Sequence, residues 1–310
     1  MLNSNRKEIL YSVTLMIVPL AILFTTYVMS SEQKEDEIVR IKDEIQQHVN
    51  VFETLDIEAK SAIVKDLNTG EILFAKNVDL SLPLASITKV LTVLTVDKLL
   101  EKNTIRISVS DLLTEGDSNL LAGENFNTQD LIDLTLSVSS NDGATALASN
   151  AISSLHLGNR KVDFVDEMNK LAQEIGMHRS RFYNETGLDE NKKRAGAYGS
   201  ANDIAKLFEY GITTNRELFE GTAKSNLTII SKEGFIHNAS NTNEIVDELP
   251  NLIAGKTGFT DIAGGNLAVV IDPSLNTPVA IIVLGSSADG RFTDVKKLSE
   301  KTIEYLKNKN

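Results

Sequence analysis

Strand-forming segments lie at both ends of the stretch 57–308, and a long helical block separates them. That order constrains the fold more than any other feature of the chain. Ser61 to Asp66 and Glu71 to Lys76 are strand-like and are joined by Asn68-Thr69-Gly70, a hairpin turn. Strand character returns at Leu252 to Lys256, Asn266 to Asp272 and Val279 to Leu284, the last two flanking Pro273 to Pro278. Residues 128–210 between them are mostly helical, with loops rich in Gly and Asn, and a last helix is expected from Thr293 to Leu306. Strands, helices, strands, helix is not the regular alternation of a parallel α/β fold. It predicts an α+β architecture in which both chain ends build one antiparallel sheet and a helical lobe is inserted.

A second apolar feature precedes this stretch. The run from Ile9 to Met29 follows Arg6 and Lys7 and is followed by Glu32, Glu35, Asp36 and Glu37. A helix of that length reaches roughly 30 Å, the thickness of a bilayer core. The charge asymmetry puts the N-terminus in the cytoplasm and the rest outside. Residues 1–30 are therefore expected to form a cytoplasmic tip and single transmembrane anchor. A cleaved signal peptide ending near Val28-Met29-Ser30 is the alternative. Residues 31–56 carry a helical stripe (Ile38, Ile41, Ile45, Val49, Phe52) and are expected to form a stalk. The globular domain is expected to occupy 57–310. A net charge of −12 argues against nucleic acid as a partner. The absence of cysteine excludes disulfides and thiolate nucleophiles. His48, His156, His178 and His237 have no metal-ligand spacing, and no phosphate-binding glycine loop occurs, so neither metal nor cofactor is expected.

The helix expected from Ser86 to Leu100 is apolar nearly all round, which places it in the middle of a domain. It opens with Ser86-Ile87-Thr88-Lys89, a hydroxyl and an amine one turn apart on one face. Serine needs a base within reach to act as a nucleophile, and burial can turn lysine into that base. The same spacing at Ser4–Lys7 and Ser31–Lys34 falls on solvated segments, so the setting carries the meaning. Ser139-Ser140-Asn141 sits in a tight connection between helices, where a hydroxyl can relay a proton and an amide can hold a carbonyl. Ser274-Leu275-Asn276 has the same letters in a hairpin loop. Lys256-Thr257-Gly258 ends a strand, where a cation beside a hydroxyl can bind a carboxylate and the glycine admits close backbone approach.

Each motif is weak by itself. Their order resembles that of the penicillin-recognising serine enzymes, and separations of 53 residues (Ser86 to Ser139) and 117 (Ser139 to Lys256) fit the D-alanyl-D-alanine carboxypeptidases, the low-molecular-mass penicillin-binding proteins. The resemblance covers roughly 57–308. It includes Ser61-Ala62-Ile63-Val64 with Asp66, the segment Leu84 to Lys89, and Phe164 to Gly176. It continues through Phe182, Asn184 and Gly187-Leu188, Ser200-Ala201 with Asp203, and Gly255 to Thr260 with Ala263-Gly264. Ala197 stands where relatives often carry histidine.

The resemblance implies a β-lactamase/D,D-peptidase-like fold and removal of the terminal D-alanine from peptidoglycan stem peptides through an acyl-enzyme. Ser86 would be the nucleophile, Lys89 its base and Ser139 the proton carrier to the leaving nitrogen. Asn141 would contact the substrate amide or orient Lys89. Lys256 and Thr257 would bind the terminal carboxylate beside Gly258, and the backbone N–H groups of Ser86 and Phe259 would form the oxyanion hole. Stem peptides and β-lactam antibiotics would be the ligands. A D,D-endopeptidase of peptide crosslinks is the nearest rival reading. A class A β-lactamase would use a glutamate such as Glu185 and is disfavoured by Ser140, where that group carries aspartate. A non-catalytic wall-binding module is disfavoured by the presence of all three motifs.

Overall fold

The computed structural model describes residues 51–53, 55–100, 104–116, 119–154 and 163–309. The expected anchor and nearly all of the expected stalk lie outside them. Among the described residues no helix is long and apolar enough to cross a membrane. The chain divides into two compact units, and the larger, Leu55–Lys307, holds the main sheet and the site described below.

The strands of the main sheet are β1 (Ser61–Asp66), β2 (Ile72–Lys76), β10 (Leu252–Thr260), β11 (Gly264–Ile271) and β12 (Val279–Ser286). Their order is β10-β11-β12-β1-β2, and every pairing is antiparallel. Both chain ends thus meet at the β12–β1 junction, where Ile63 lies opposite Ile282 and Val64 opposite Ile281. Successive side chains on a strand point to opposite faces. Here Ile63, Ala268, Val270, Ala280, Ile282 and Leu284 join the main hydrophobic core on one face. Their alternates Val64, Leu267, Val269, Ile281 and Val283 are equally buried on the other. A sheet covered on both sides reads as continuous apolar runs, as the β11 and β12 sequences do.

Helices supply the two covers. On the core face lies α1 (Thr88–Leu99), preceded by a 3₁₀ turn at Ala85–Ile87. Its residues Thr88 through Val96 are all buried, as its all-round apolar pattern requires. The lobe around it contains β4 (Thr104–Arg106), β5 (Asn125–Asn127), α2 (Thr128–Ser137), α3 (Asn141–Ser154) and α4 (Phe164–Ile175). Helix α5 (Ala201–Asn215) packs on β12 and β1 and starts at Ser200, whose Oγ accepts from Asp203 N at 3.2 Å. The other face is closed by α6 (Gly290–Lys309), which buries Phe292, Val295, Leu298 and Leu306.

The sequence order therefore corresponds to the observed α+β fold. The structure adds strands too short to carry a pattern: β3 (Leu82–Pro83), β6 (Arg181–Phe182) and β7 (Ala197–Gly199), which form a small sheet with order β3-β7-β6. It also pairs β4 with β5, and β8 (Asn226–Ile230) with β9 (Ile236–Ser240). The last helix begins at Gly290 rather than Thr293.

One buried carboxylate fastens α6 to the sheet. Asp294 accepts from Glu58 N (3.0 Å), Ala59 N (2.9 Å) and Ser286 Oγ (2.8 Å). Removing it leaves a buried backbone donor without a partner. Asp294→Ala is expected to lower stability by about 2–4 kcal/mol, with Asp294→Asn in between. Urea unfolding checks this, and a loss under about 0.5 kcal/mol, the range of a surface change, contradicts the anchoring role.

Candidate active site

The three motifs converge at the edge strand β10. Ala85 has φ +48° and introduces Ser86 on the 3₁₀ turn that leads into α1. A non-glycine residue in the left-handed region is strained, and the packing around it must hold it there. Two glycines permit that packing. A Cβ at Gly258 would lie 2.8 Å from the Leu84 carbonyl oxygen, and one at Gly187 would lie 2.0 Å from that of Ala85. Asn266, fully buried on β11, donates through Nδ2 to the Pro83 and Leu84 carbonyls (both 3.0 Å) and accepts from Gly285 N (2.8 Å). The segment before Ser86 is thus tied to β11 and, through Gly285, to β12.

Lys89, one turn after Ser86, is completely buried. Its amine donates to Ser86 Oγ (2.9 Å), Asn141 Oδ1 (2.7 Å) and the Thr186 carbonyl (2.8 Å). These three acceptors come from the 3₁₀ turn before α1, from α3 and from the loop after β6, and they match the three protons of an ammonium. Burial lowers the amine's pKa from 10.5 to about 7, and Glu185 resists that fall. Glu185 is held in turn: its Oε1 accepts from Thr145 Oγ1 at 2.9 Å, one turn beyond Asn141 on α3.

Ser139 lies between α2 and α3 with φ +64°. Its Oγ accepts from Lys256 Nζ at 2.9 Å, and that amine also donates to the Thr257 carbonyl at 2.9 Å. Lys256 is buried, and its pKa lies well below 10.5, through burial first and then the charges of Lys89 and Arg291. Repulsion between the two lysines thus bears on Lys256, whereas burial governs Lys89. Thr257 Oγ1 shares a hydrogen bond of 2.6 Å with Thr242 Oγ1. Asn141 Nδ2 donates to the Glu115 carbonyl at 2.6 Å. Phe259 is half exposed, and Arg291 Nη1 donates to the Gly258 carbonyl at 3.0 Å.

The structure thus brings together Ser86, Lys89 and Asn141 in one hydrogen-bonded cluster, and Ser139 and Lys256 in a second, with Thr257, Gly258 and Phe259 along the same strand. Sequence reading passed over Thr186, Thr242, Asn266 and Arg291. Thr186 contributes a backbone carbonyl, which no residue type signals. Arg291 begins a helix far along the chain. Of the two described histidines, His237 is buried against Glu124 at 2.8 Å, a structural pair, as expected of a histidine outside any ligand spacing. Among the described residues no group of histidine and acidic side chains could hold a metal ion.

Asn266 offers a test of the local frame. Asn266→Ala removes three buried hydrogen bonds and frees the segment before Ser86. Stability should fall by about 2–4 kcal/mol, and if Ser86 is the nucleophile that the resemblance implies, its rate of acylation should fall at least about tenfold in protein that is still folded. Full acylation in the folded variant would show that the segment does not need this anchor.

A family model described as D-alanyl-D-alanine carboxypeptidase matches residues 46–288. The D-alanyl-D-alanine carboxypeptidase DacF of Bacillus subtilis is 29% identical over 248 residues, covering 78% of this chain and 61% of the relative. A D-alanyl-D-alanine endopeptidase of Pseudomonas aeruginosa is 31% identical over 252 residues, covering 77% of this chain and 74% of the relative. A penicillin-binding protein of Listeria monocytogenes, solved with ampicillin bound, superposes with TM-score 0.64 at 27% identity, covering 80% of this chain and 98% of that one. The chain spans about three fifths of the length of DacF and of a second carboxypeptidase, DacA of Haemophilus influenzae, so these relatives extend beyond what it matches. With the motif order, the α+β fold and the clustered site in agreement, the chain belongs to the D-alanyl-D-alanine carboxypeptidase family.

Proposed function

We propose that this protein is a serine D,D-carboxypeptidase that removes the terminal D-alanine of peptidoglycan stem peptides and is acylated by penicillins at Ser86. The observation that carries this reading is the buried Lys89 amine 2.9 Å from Ser86 Oγ. With a pKa near 7, a large fraction of this lysine is neutral at physiological pH. The contact then reverses: Ser86 Oγ–H donates to the amine, and the oxygen is free to attack.

The steps follow from the placement of the groups. Ser86 Oγ adds to the carbonyl of the penultimate D-alanine as its proton passes to Lys89. The backbone N–H groups of Ser86 and Phe259 receive the oxyanion. The C–N bond breaks, and Ser139 hands a proton to the leaving D-alanine nitrogen, replacing it from the neighbouring lysines. Water then adds to the ester, the C–O bond breaks, and Ser86 regains its proton. Lys256 and Thr257 bind the terminal carboxylate. Arg291, with a buried Nε that has no partner among the described residues, adds a second cation beside Gly258. Burial, and then the charges of Lys89 and Arg291, hold down the pKa of Lys256. An arriving carboxylate reverses that pressure and makes Lys256 the cation of the pair.

Endopeptidase cleavage of D,D-crosslinks is the second reading, favoured by the relative of that name. The apolar run 9–29 supports a membrane anchor that leaves the catalytic domain outside the cytoplasm. Protease added to intact spheroplasts should degrade the domain, and a mature N-terminus at Ser31 would instead mean a cleaved leader.

Incubation with a fluorescent penicillin should place one adduct on the peptide containing Ser86, and Ser86→Ala should lower D-alanine release by about three decades or more. An adduct on another serine, or none at millimolar drug, contradicts the reading. Only neutral Lys89 can accept the proton, so acylation should rise about tenfold per pH unit below pH 7 and level off above it. A rate independent of pH between 5 and 8 removes Lys89 from the role of base. Converting the substrate carboxylate to an amide should slow the wild type much more than Lys256→Ala. Equal penalties mean that Lys256 does not read the carboxylate.

A further inference from the structure

Among the described residues, Glu185 is the acid whose charge acts on the buried Lys89 amine, and the chemistry above gives it no task. Its position is built from several sides. Asn184 locks the loop: its Oδ1 accepts from Gly187 N (2.7 Å), and its Nδ2 donates to the Leu188 carbonyl (2.9 Å). Two successive carbonyls of that loop are then taken by α1. That of Glu185 accepts from Thr92 Oγ1 (2.6 Å), and that of Thr186 accepts from Lys89 Nζ (2.8 Å). The Glu185 side chain reaches α3 instead, where Thr145 Oγ1 donates to its Oε1 (2.9 Å). Thr145 Oγ1 also lies 3.1 Å from Thr114 Oγ1. With its own proton committed to the carboxylate, Thr145 accepts from Thr114. Glu115, the next residue, gives its carbonyl to Asn141 Nδ2 (2.6 Å). One segment thus braces both Asn141, which touches Lys89, and Thr145, which holds Glu185.

The other surroundings of Lys89 supply no anion. Lys256, a cation when protonated, interacts with it from β10. Helix α3 presents the neutral amide of Asn141. Thr92, one turn after Lys89, meets the neutral Met168 of α4, with Sδ at 3.8 Å. Helices α2 and α5 bring core side chains such as Leu134 and Phe208. When Ser86 passes its proton to Lys89, a buried neutral amine becomes an ammonium. Such a cation is costly to form in the interior without a compensating anion.

We propose that Glu185 is a positioning residue for acylation, fixed by Thr145 as the counter-charge to the ammonium that Lys89 becomes when it takes the proton of Ser86. This rests on the serine D,D-peptidase reading and adds a residue to it. The carboxylate strengthens Lys89 as a base and sets the pH range in which it works. Without that charge Lys89 holds a proton less firmly. It is then neutral from a lower pH upward, but it draws the Ser86 proton more weakly.

The test compares wild type, Glu185→Gln and Thr145→Val as the full chain in detergent, with a fluorescent penicillin and a stem pentapeptide. Glu185→Gln keeps an oxygen for Thr145 to bond and loses the charge. Its profile of acylation against pH should move to lower pH by about half a unit or more, and its plateau should fall about threefold or more. The Cε resonance of Lys89, followed by NMR, should titrate at a correspondingly lower pH, while KM for the pentapeptide stays within about twofold of wild type. Thr145→Val releases the carboxylate and should shift both midpoints in the same direction by less. Wild-type midpoints in Glu185→Gln overturn the proposal. A lower rate with an unmoved midpoint marks a merely structural residue and overturns it too. The resonance is read without turnover, so a variant too slow to assay still decides the matter. Should Glu185→Gln fail to fold, unmoved midpoints in Thr145→Val overturn the proposal. Wild-type protein that forms no penicillin adduct on Ser86 overturns the peptidase reading instead, and the proposal with it.

Discussion

The Lys89 amine, buried and held by three acceptors from three separate segments, is the constraint on which the rest of the site depends. An ammonium buried without partners costs several kcal/mol. The chain meets that cost by converging Ser86, Asn141 and the Thr186 carbonyl on one nitrogen. The convergence fixes α1 against the start of α3 and against the loop after β6. The strained backbone at Ala85 and Ser139 lies at two corners of the same arrangement. Ser86, next to Ala85, and Ser139 itself each accept a hydrogen bond of 2.9 Å from a lysine amine, and the sheet beneath supplies the rigidity that keeps both in place.

The electrostatics follow from burial more than from pairwise charge. Both lysines lie in the interior, so both lose much of their affinity for a proton. What separates them is their surroundings. Lys89 has Glu185 nearby, whose charge opposes the desolvation, whereas the charges of Lys89 and Arg291 add to the desolvation of Lys256. On the reading proposed above, an arriving carboxylate would favour the charged form of Lys256, while Lys89 keeps the pKa near 7 that suits a general base.

Much of this was legible in the sequence because catalysis demands particular residue types at particular spacings. A hydroxyl and an amine one turn apart on an all-apolar helix fix both the burial and the contact. The strand–helix–strand–helix order fixed the sheet's composition, since apolar runs such as Val279 to Leu284 must be buried on both faces. What escaped has physical reasons. Backbone carbonyls such as that of Thr186 carry no residue signature. Asn266 and Thr242 are ordinary polar letters until the strands bring them beneath Ser86 and beside Thr257. Strands of two or three residues, such as Leu82–Pro83 and Arg181–Phe182, exist only because tertiary packing aligns them. Glu185 drew notice for a different chemistry, and its tie to Thr145 required two helices and a loop to be in place.

The central claim is that folding turns Lys89 into an amine that exchanges its proton near neutrality. Carbon-detected NMR of the labelled lysine Cε groups, assigned by comparison with Lys89→Met, measures this directly. The Lys89 resonance should titrate with a midpoint near pH 7 in the ligand-free protein. A resonance that stays in its charged position up to pH 9 would contradict the account.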